Sequence, residues 1–76
     1  MAARLLPPKG REVLRKLKKA GFEIVRIKGS AYYLKHPQTG RVTSVHIHGS
    51  RDIPLGTLRA IVIEQAGLSP EEFDEL

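Results

Sequence analysis

A chain of 76 residues with a net charge of +5 and no cysteine describes one domain, near the size at which a single core becomes marginal. The missing cysteines exclude disulfides, thiol catalysis and zinc–thiolate sites, and no apolar run approaches the roughly 18 residues of a membrane span. Met1 to Leu6 offers too short an apolar stretch for a secretory leader, so the expectation is one soluble, cytoplasmic domain over residues 1–76.

The charge is uneven along the chain. Over residues 1–51, twelve Lys and Arg stand against Glu12 and Glu23. Over residues 52–76, Arg59 stands against six carboxylates. A basic body with an acidic end suggests a polyanion partner for the body.

In chain order, Pro7-Pro8 makes residues 1–8 extended. Lys9 to Ala20 reads as a helix, with Val13, Leu14 and Leu17 on its apolar stripe and Ala20 and Phe22 extending it. Arg11, Arg15, Lys18 and Lys19 fall on one side at spacings of three and four, where like charges repel by a few tenths of a kcal/mol per pair. A bound polyanion relieves that repulsion. Gly21 ends the helix in a left-handed conformation.

Phe22 to Lys28 is the first strand. Phe22 and Ile24 are out of phase with Val25 and Ile27, which requires a bulge or partial cover on both faces. Gly29-Ser30 reverses the chain. Ala31 to Lys35 is the second strand, with Tyr32 and Leu34 on one face and Ala31, Tyr33 and Lys35 on the other. His36 to Gly40 is a loop, and Val42 to His48 is a third strand whose Thr43, Val45 and Ile47 make an apolar, β-branched face. Pro54 opens a second helix at its first turn, with Leu58, Ile61, Val62 and Gln65-Ala66 on the buried stripe and Leu55 as its extension. Gly67 closes it. Ser69-Pro70-Glu71-Glu72 has the form of a capping box, flanked by Leu68 and Phe73 as a hydrophobic staple. The order α-β-β-β-α, with a short C-terminal helix, predicts an α+β fold. It comprises an antiparallel three-stranded sheet with two helices on one face.

With these residues in view, the chain resembles the HicA-type (YcfA-like) mRNA interferase toxins. The resemblance rests on an ordered set. It begins with a basic first helix ending Lys18-Lys19-Ala20-Gly21-Phe22, then Lys28-Gly29-Ser30, then His36-Pro37. His46 or His48 follows, then Ile53-Pro54-Leu55-Gly56-Thr57-Leu58 and Gln65-Ala66-Gly67-Leu68-Ser69. It covers residues 7 to 73. The resemblance implies a double-stranded-RNA-binding-domain-like fold and sequence-tolerant RNA cleavage that blocks translation, without metal or other cofactor. It also implies a HicB-type antitoxin that covers the active site in a hetero-oligomer. In this family a catalytic His follows the Gly-Ser turn, and here Ala31 occupies that position. Either the member has diverged or His has been replaced by Ala, and the intact remainder of the motif favours replacement.

The chemistry of RNA cleavage suits such a site. Removing the 2′-hydroxyl proton and protonating the leaving oxygen are both within reach of one imidazole. The amides of Gly29 and Ser30, with Lys28, are placed to hold a phosphate. Lys28, Lys35 and the helix cations Arg11, Arg15, Lys18 and Lys19 are the candidate RNA contacts. With Ala at position 31 the expectation is retained RNA and antitoxin binding with weak or no cleavage. A non-catalytic double-stranded-RNA-binding module is the alternative, and a domain whose sheet edge accepts another chain is a third. Ser30 reads as a turn residue and not a nucleophile, because no Asp stands near it for a triad. His36 reads as a turn residue with a hydrogen-bonded ring. His46 and His48 read as polar residues of a wet sheet face or as auxiliary contacts, not as metal ligands. Tyr32 belongs to the core by its phase with Leu34, and Tyr33 is left to stack a base or meet a partner.

Overall fold

The computed structural model describes residues 9–47, 49 and 51–76. The extended reading of residues 1–8 and the roles weighed for His48 lie outside the described residues. The elements follow the predicted order: α1 (Gly10–Lys19), β1 (Glu23–Lys28), β2 (Ala31–Lys35), β3 (Val42–His46), α2 (Leu55–Arg59) and α3 (Pro70–Asp74). The strands form one antiparallel sheet in the order β1-β2-β3.

The end of α1 shows how local sequence sets the path. Gly21, at φ 107, lets its N–H donate to the Lys18 carbonyl at 3.1 Å while the Phe22 N–H donates to the Leu17 carbonyl at 3.0 Å. This is the paired bonding of a Schellman motif. It brings Phe22 back over Leu17, and both are buried in the core. The chain thereby enters β1 already anchored to the helix. Of the two alternatives for the phase change in β1, the bulge is present: the register of β1 on β2 shifts between Ile24 and Arg26, around Val25.

Alternation then sorts the sheet. Leu34 and Val45 are fully buried, Thr43 is 2% exposed, and Ile24, Tyr32 and Ile47 pack against the core at its margin. Val13 and Leu17 of α1, and Leu58, Ile61 and Val62 of the second helix, close over that face. Val25 and Ile27, by contrast, are more than half exposed on the edge strand β1.

The second helix departs from expectation in four ways. Pro54 is its N-cap and not its first helical residue. Leu55 is 42% exposed and does not extend the buried stripe, and Gln65, expected on it, is exposed while Ala66 beside it is buried. After Arg59 the helix widens into a π-helical segment, Ala60–Gln65, in which the Ala66 N–H donates to the Ile61 carbonyl at 3.0 Å. The segment faces Thr43 across the interface. The buried Thr43 hydroxyl sits 3.2 Å from that same carbonyl and 2.8 Å from the Gln65 side-chain oxygen. The strand thus fastens to the widened turn at two of its oxygens.

The C-terminal signal is realised in full. The Ser69 hydroxyl accepts the Glu72 N–H at 3.1 Å, and the Glu72 carboxylate accepts the Ser69 N–H at 2.9 Å. Those bonds, the backbone one foremost, hold the Glu72 carboxyl below the usual glutamate range. Phe73 is buried. Lys16 of α1 reaches it, donating to its carbonyl at 3.2 Å and lying 4.8 Å from its ring centroid.

Ser69→Ala removes one half of the reciprocal cap and is expected to lower stability by about 1 kcal/mol, measured by urea unfolding. Because the Glu72 pKa is lowered on folding, its contribution is present above the ordinary glutamate range. That contribution is lost as pH falls through the lowered value. Glu72→Gln should therefore flatten the acid limb of the stability curve, and an unchanged limb would contradict the cap.

Candidate functional site

The hairpin between β1 and β2 closes at Gly29 and Ser30, because Lys28 pairs directly with Ala31. Gly29 has φ 59, and no residue other than glycine has a positive φ among the described residues. These signs match a type II′ reversal, which places Gly at the first turn position. A Cβ at Gly29 would meet nothing within 4 Å, so the outer side of the turn is open.

Register then places side chains in rows. Lys28 pairs with Ala31, and Ala31 with His46. The next row on that face is Arg26, Tyr33 and Ser44, and beyond it Lys35 pairs with Val42. The Ile47 N–H donates to the Ser30 carbonyl at 2.9 Å, which ties the turn to the end of β3. By strand alternation this face lies opposite Leu34 and the helices. Lys28, Arg26, Lys35 and His46 are exposed on it. Ala31 is only 6% exposed but stands outside the contiguous hydrophobic core. Position 31 is thus a covered slot in a cationic face, between Lys28 and His46.

The helix cations lie elsewhere. Arg11, Arg15, Lys18 and Lys19, with Leu14, line a shallow depression of about 410 Å³. It is on the outer side of α1, away from the buried Val13 and Leu17. The cations grouped in sequence as candidate RNA contacts therefore lie on two surfaces, one on the sheet and one on the helix layer. Arg15 is also engaged by Glu12 in an ion pair. That pairing holds the Glu12 carboxyl below its usual range and raises the Arg15 guanidinium.

His36 is a turn residue, as its sequence context suggests. Its Nδ1 accepts the N–H groups of Gln38 and Thr39 at 3.2 and 3.3 Å, and its ring meets Phe22 edge to face at 5.1 Å. Its Nε2 would lie 2.8 Å from a Cβ added at Gly21. The ring therefore explains why Gly21 has no side chain, beyond its backbone conformation. His36 follows the far end of β2 from Ala31, so His36 and His46 occupy opposite ends of the sheet.

Sequence reasoning named His46 but gave it no distinct place. The structure sets it beside position 31 and also on the wall of a groove of about 460 Å³, with Arg51, Asp52, Thr57, Ile61 and Gln65. The signal was available only through register, which follows from the two-residue turn and the loop between β2 and β3. Lys9 and Asp52 pair at 3.1 Å near this groove, joining the start of α1 to the segment before α2.

A family model described as the HicA toxin of bacterial toxin–antitoxin matches residues 10–68. No curated protein matches the chain. The matched span runs from α1 through Leu68, and it contains the hairpin, the row through Ala31 and the groove.

Two glycine substitutions separate scaffold from site. Gly29→Ala is strained by its positive φ and should cost at least about 1 kcal/mol. Gly21→Ala carries the same kind of strain and also collides with a ring that two amides and Phe22 hold in place. Thermal unfolding should show the larger loss for Gly21→Ala, and the reverse order would refute the packing described around His36.

Proposed function

The chain belongs to the HicA toxin family of bacterial toxin–antitoxin systems, and from that membership we propose that it is an mRNA interferase. On this reading it is a cytoplasmic, single-domain endoribonuclease that needs no metal. It cuts RNA with little sequence preference, blocks translation and is neutralised in a hetero-oligomer with a HicB-type antitoxin. The observation that supports a site on the sheet is the row Lys28–Ala31–His46 at the open end of the Gly29–Ser30 turn.

Each residue has a role in this account. The exposed Lys28 and the amides of the turn receive a phosphate of the RNA backbone. Position 31 faces the ribose 2′-hydroxyl next to that phosphate, where an imidazole takes the proton. Arg26 and Lys35 continue the phosphate path along the sheet. Arg11, Lys18 and Lys19 on α1 hold a more distant stretch of RNA, with Arg15 contributing less because Glu12 already engages it. A methyl group at position 31 cannot transfer a proton, so this chain binds RNA and antitoxin and cleaves weakly.

The same methyl group favours a second reading, a non-catalytic double-stranded-RNA-binding module that recognises shape through phosphate and 2′-hydroxyl contacts. Ala31→His decides between them. The toxin reading expects cleavage of a single-stranded RNA to rise by about 100-fold or more, with affinity little changed. Binding by both forms and cleavage by neither establishes the module.

Lys18→Glu with Lys19→Glu should weaken RNA binding and reduce the salt dependence of log K by about 0.7 for each single-strand phosphate no longer neutralised. The cleavage rate of fully bound RNA by the Ala31→His form should stay unchanged. Loss of that rate in parallel would place α1 within the reacting site.

A further inference from the structure

We infer that His46 is the proton-transfer residue of this chain, standing in from β3 for the imidazole that position 31 on β2 lacks. The inference rests on the ribonuclease reading above and deepens it. Its ground is geometric. Ala31 and His46 are direct cross-strand partners, and directly opposed residues hold their Cβ atoms about 4.5–5.5 Å apart on the same face. A histidine side chain spans that distance, so an imidazole rooted on β3 reaches the ground that one rooted at position 31 would occupy. His46 is exposed, while Ala31 beside it is only 6% exposed. The phosphate ligands stay on the opposite side of position 31, at Lys28 and the Gly29–Ser30 turn.

His46 also has something that position 31 does not. It borders the groove with Arg51, Asp52 and Gln65, which offers polar groups of both signs beside the reacting ribose. His36 cannot serve, since its ring is pinned in its own turn at the far end of the sheet. Among the described residues no other histidine is present.

The step balances without a metal or an oxidant. The His46 imidazole takes the proton of the 2′-hydroxyl. The 2′-oxygen forms a bond to phosphorus as the bond from phosphorus to the 5′-oxygen breaks. The departing 5′-oxygen takes a proton from water, and the resulting hydroxide takes the proton back from the imidazolium. The products are a 2′,3′-cyclic phosphate and a 5′-hydroxyl end.

The test compares four purified chains on one fluorescent single-stranded RNA: the unchanged chain, His46→Ala, His46→Gln and Ala31→His. Folding is followed by circular dichroism and affinity by anisotropy. The expected result is slow cleavage by the unchanged chain, with cyclic-phosphate ends. That cleavage falls by about 100-fold in both His46 variants while RNA affinity stays within about twofold, and added imidazole partly restores His46→Ala. A ring that only shapes the surface would not be replaced by free imidazole. The inference is overturned if Ala31→His cleaves and the unchanged chain does not. It is equally overturned if the His46 variants cleave as fast as the unchanged chain, or if they lose affinity and rate together. If Ala31→His and the unchanged chain are both silent, the ribonuclease reading itself fails and takes this inference with it.

Discussion

The reversal at Gly29 and Ser30 is the constraint on which the rest of the structure turns. A two-residue link leaves one way to pair Lys28 with Ala31, and the loop between β2 and β3 extends that row to His46. A slip of one residue would move the whole apolar set to the other face. Leu34 and Val45 would leave the core, and each contributes about 1.5–3 kcal/mol through burial. The core thereby holds the register, and the register lines up Lys28, Ala31 and His46. Site geometry is not an addition to the fold here. It is the opposite face of the same alternation that buries Leu34, Thr43 and Val45.

Where the sequence was legible, the signal was local. The Schellman ending at Gly21, the bulge near Val25, the glycine turn and the Ser69–Glu72 box each depend on neighbours within a few residues, and each formed where expected. The features that were not legible depend on distant partners. The π-helical turn meets a hydroxyl on Thr43, 18 residues before Ile61. Lys16 reads as one more cation of the basic helix until Phe73 arrives beneath it. Leu55 has the right spacing for the buried stripe and remains exposed, because the helix begins at the rim of the core. The helical and sheet cations look like one set when charges are simply summed along the chain. They are divided by the layer of helix that packs on the sheet.

That division changes how the net charge should be weighed. The formal excess over residues 1–51 overstates the positive surface available to a ligand. Glu12 engages Arg15, Asp52 engages Lys9 and the Phe73 carbonyl engages Lys16. The two exposed ion pairs add little stability, but each lowers the field at its own cation. What remains among the described residues of this stretch is spread over several sides: Arg26, Lys28 and Lys35 on the sheet, with Glu23 opposite Lys35 in register, Arg11, Lys18 and Lys19 on α1, and Arg41 and Arg51 in the segments before and after β3. An extended polyanion that touched both the sheet and the α1 surfaces would have to pass around an edge of the domain. Each surface therefore presents its own field to a ligand.

The π-helical segment links this electrostatic picture to the groove beside position 31. Thr43 is buried, and a buried hydroxyl needs a partner. Its single proton is shared between the Ile61 carbonyl and the Gln65 side chain. The Ile61 carbonyl already receives the Ala66 N–H, so one oxygen fastens both the widened turn and the strand. Gln65, held from Thr43, in turn forms one wall of the groove that His46 borders from an outward position of β3. A regular α-helical turn would alter the angular position of Gln65 relative to that strand and remove the wall. The irregular stretch of helix and the buried hydroxyl are thus joined at one oxygen, and through Gln65 that junction bears on the surface next to the row through Ala31.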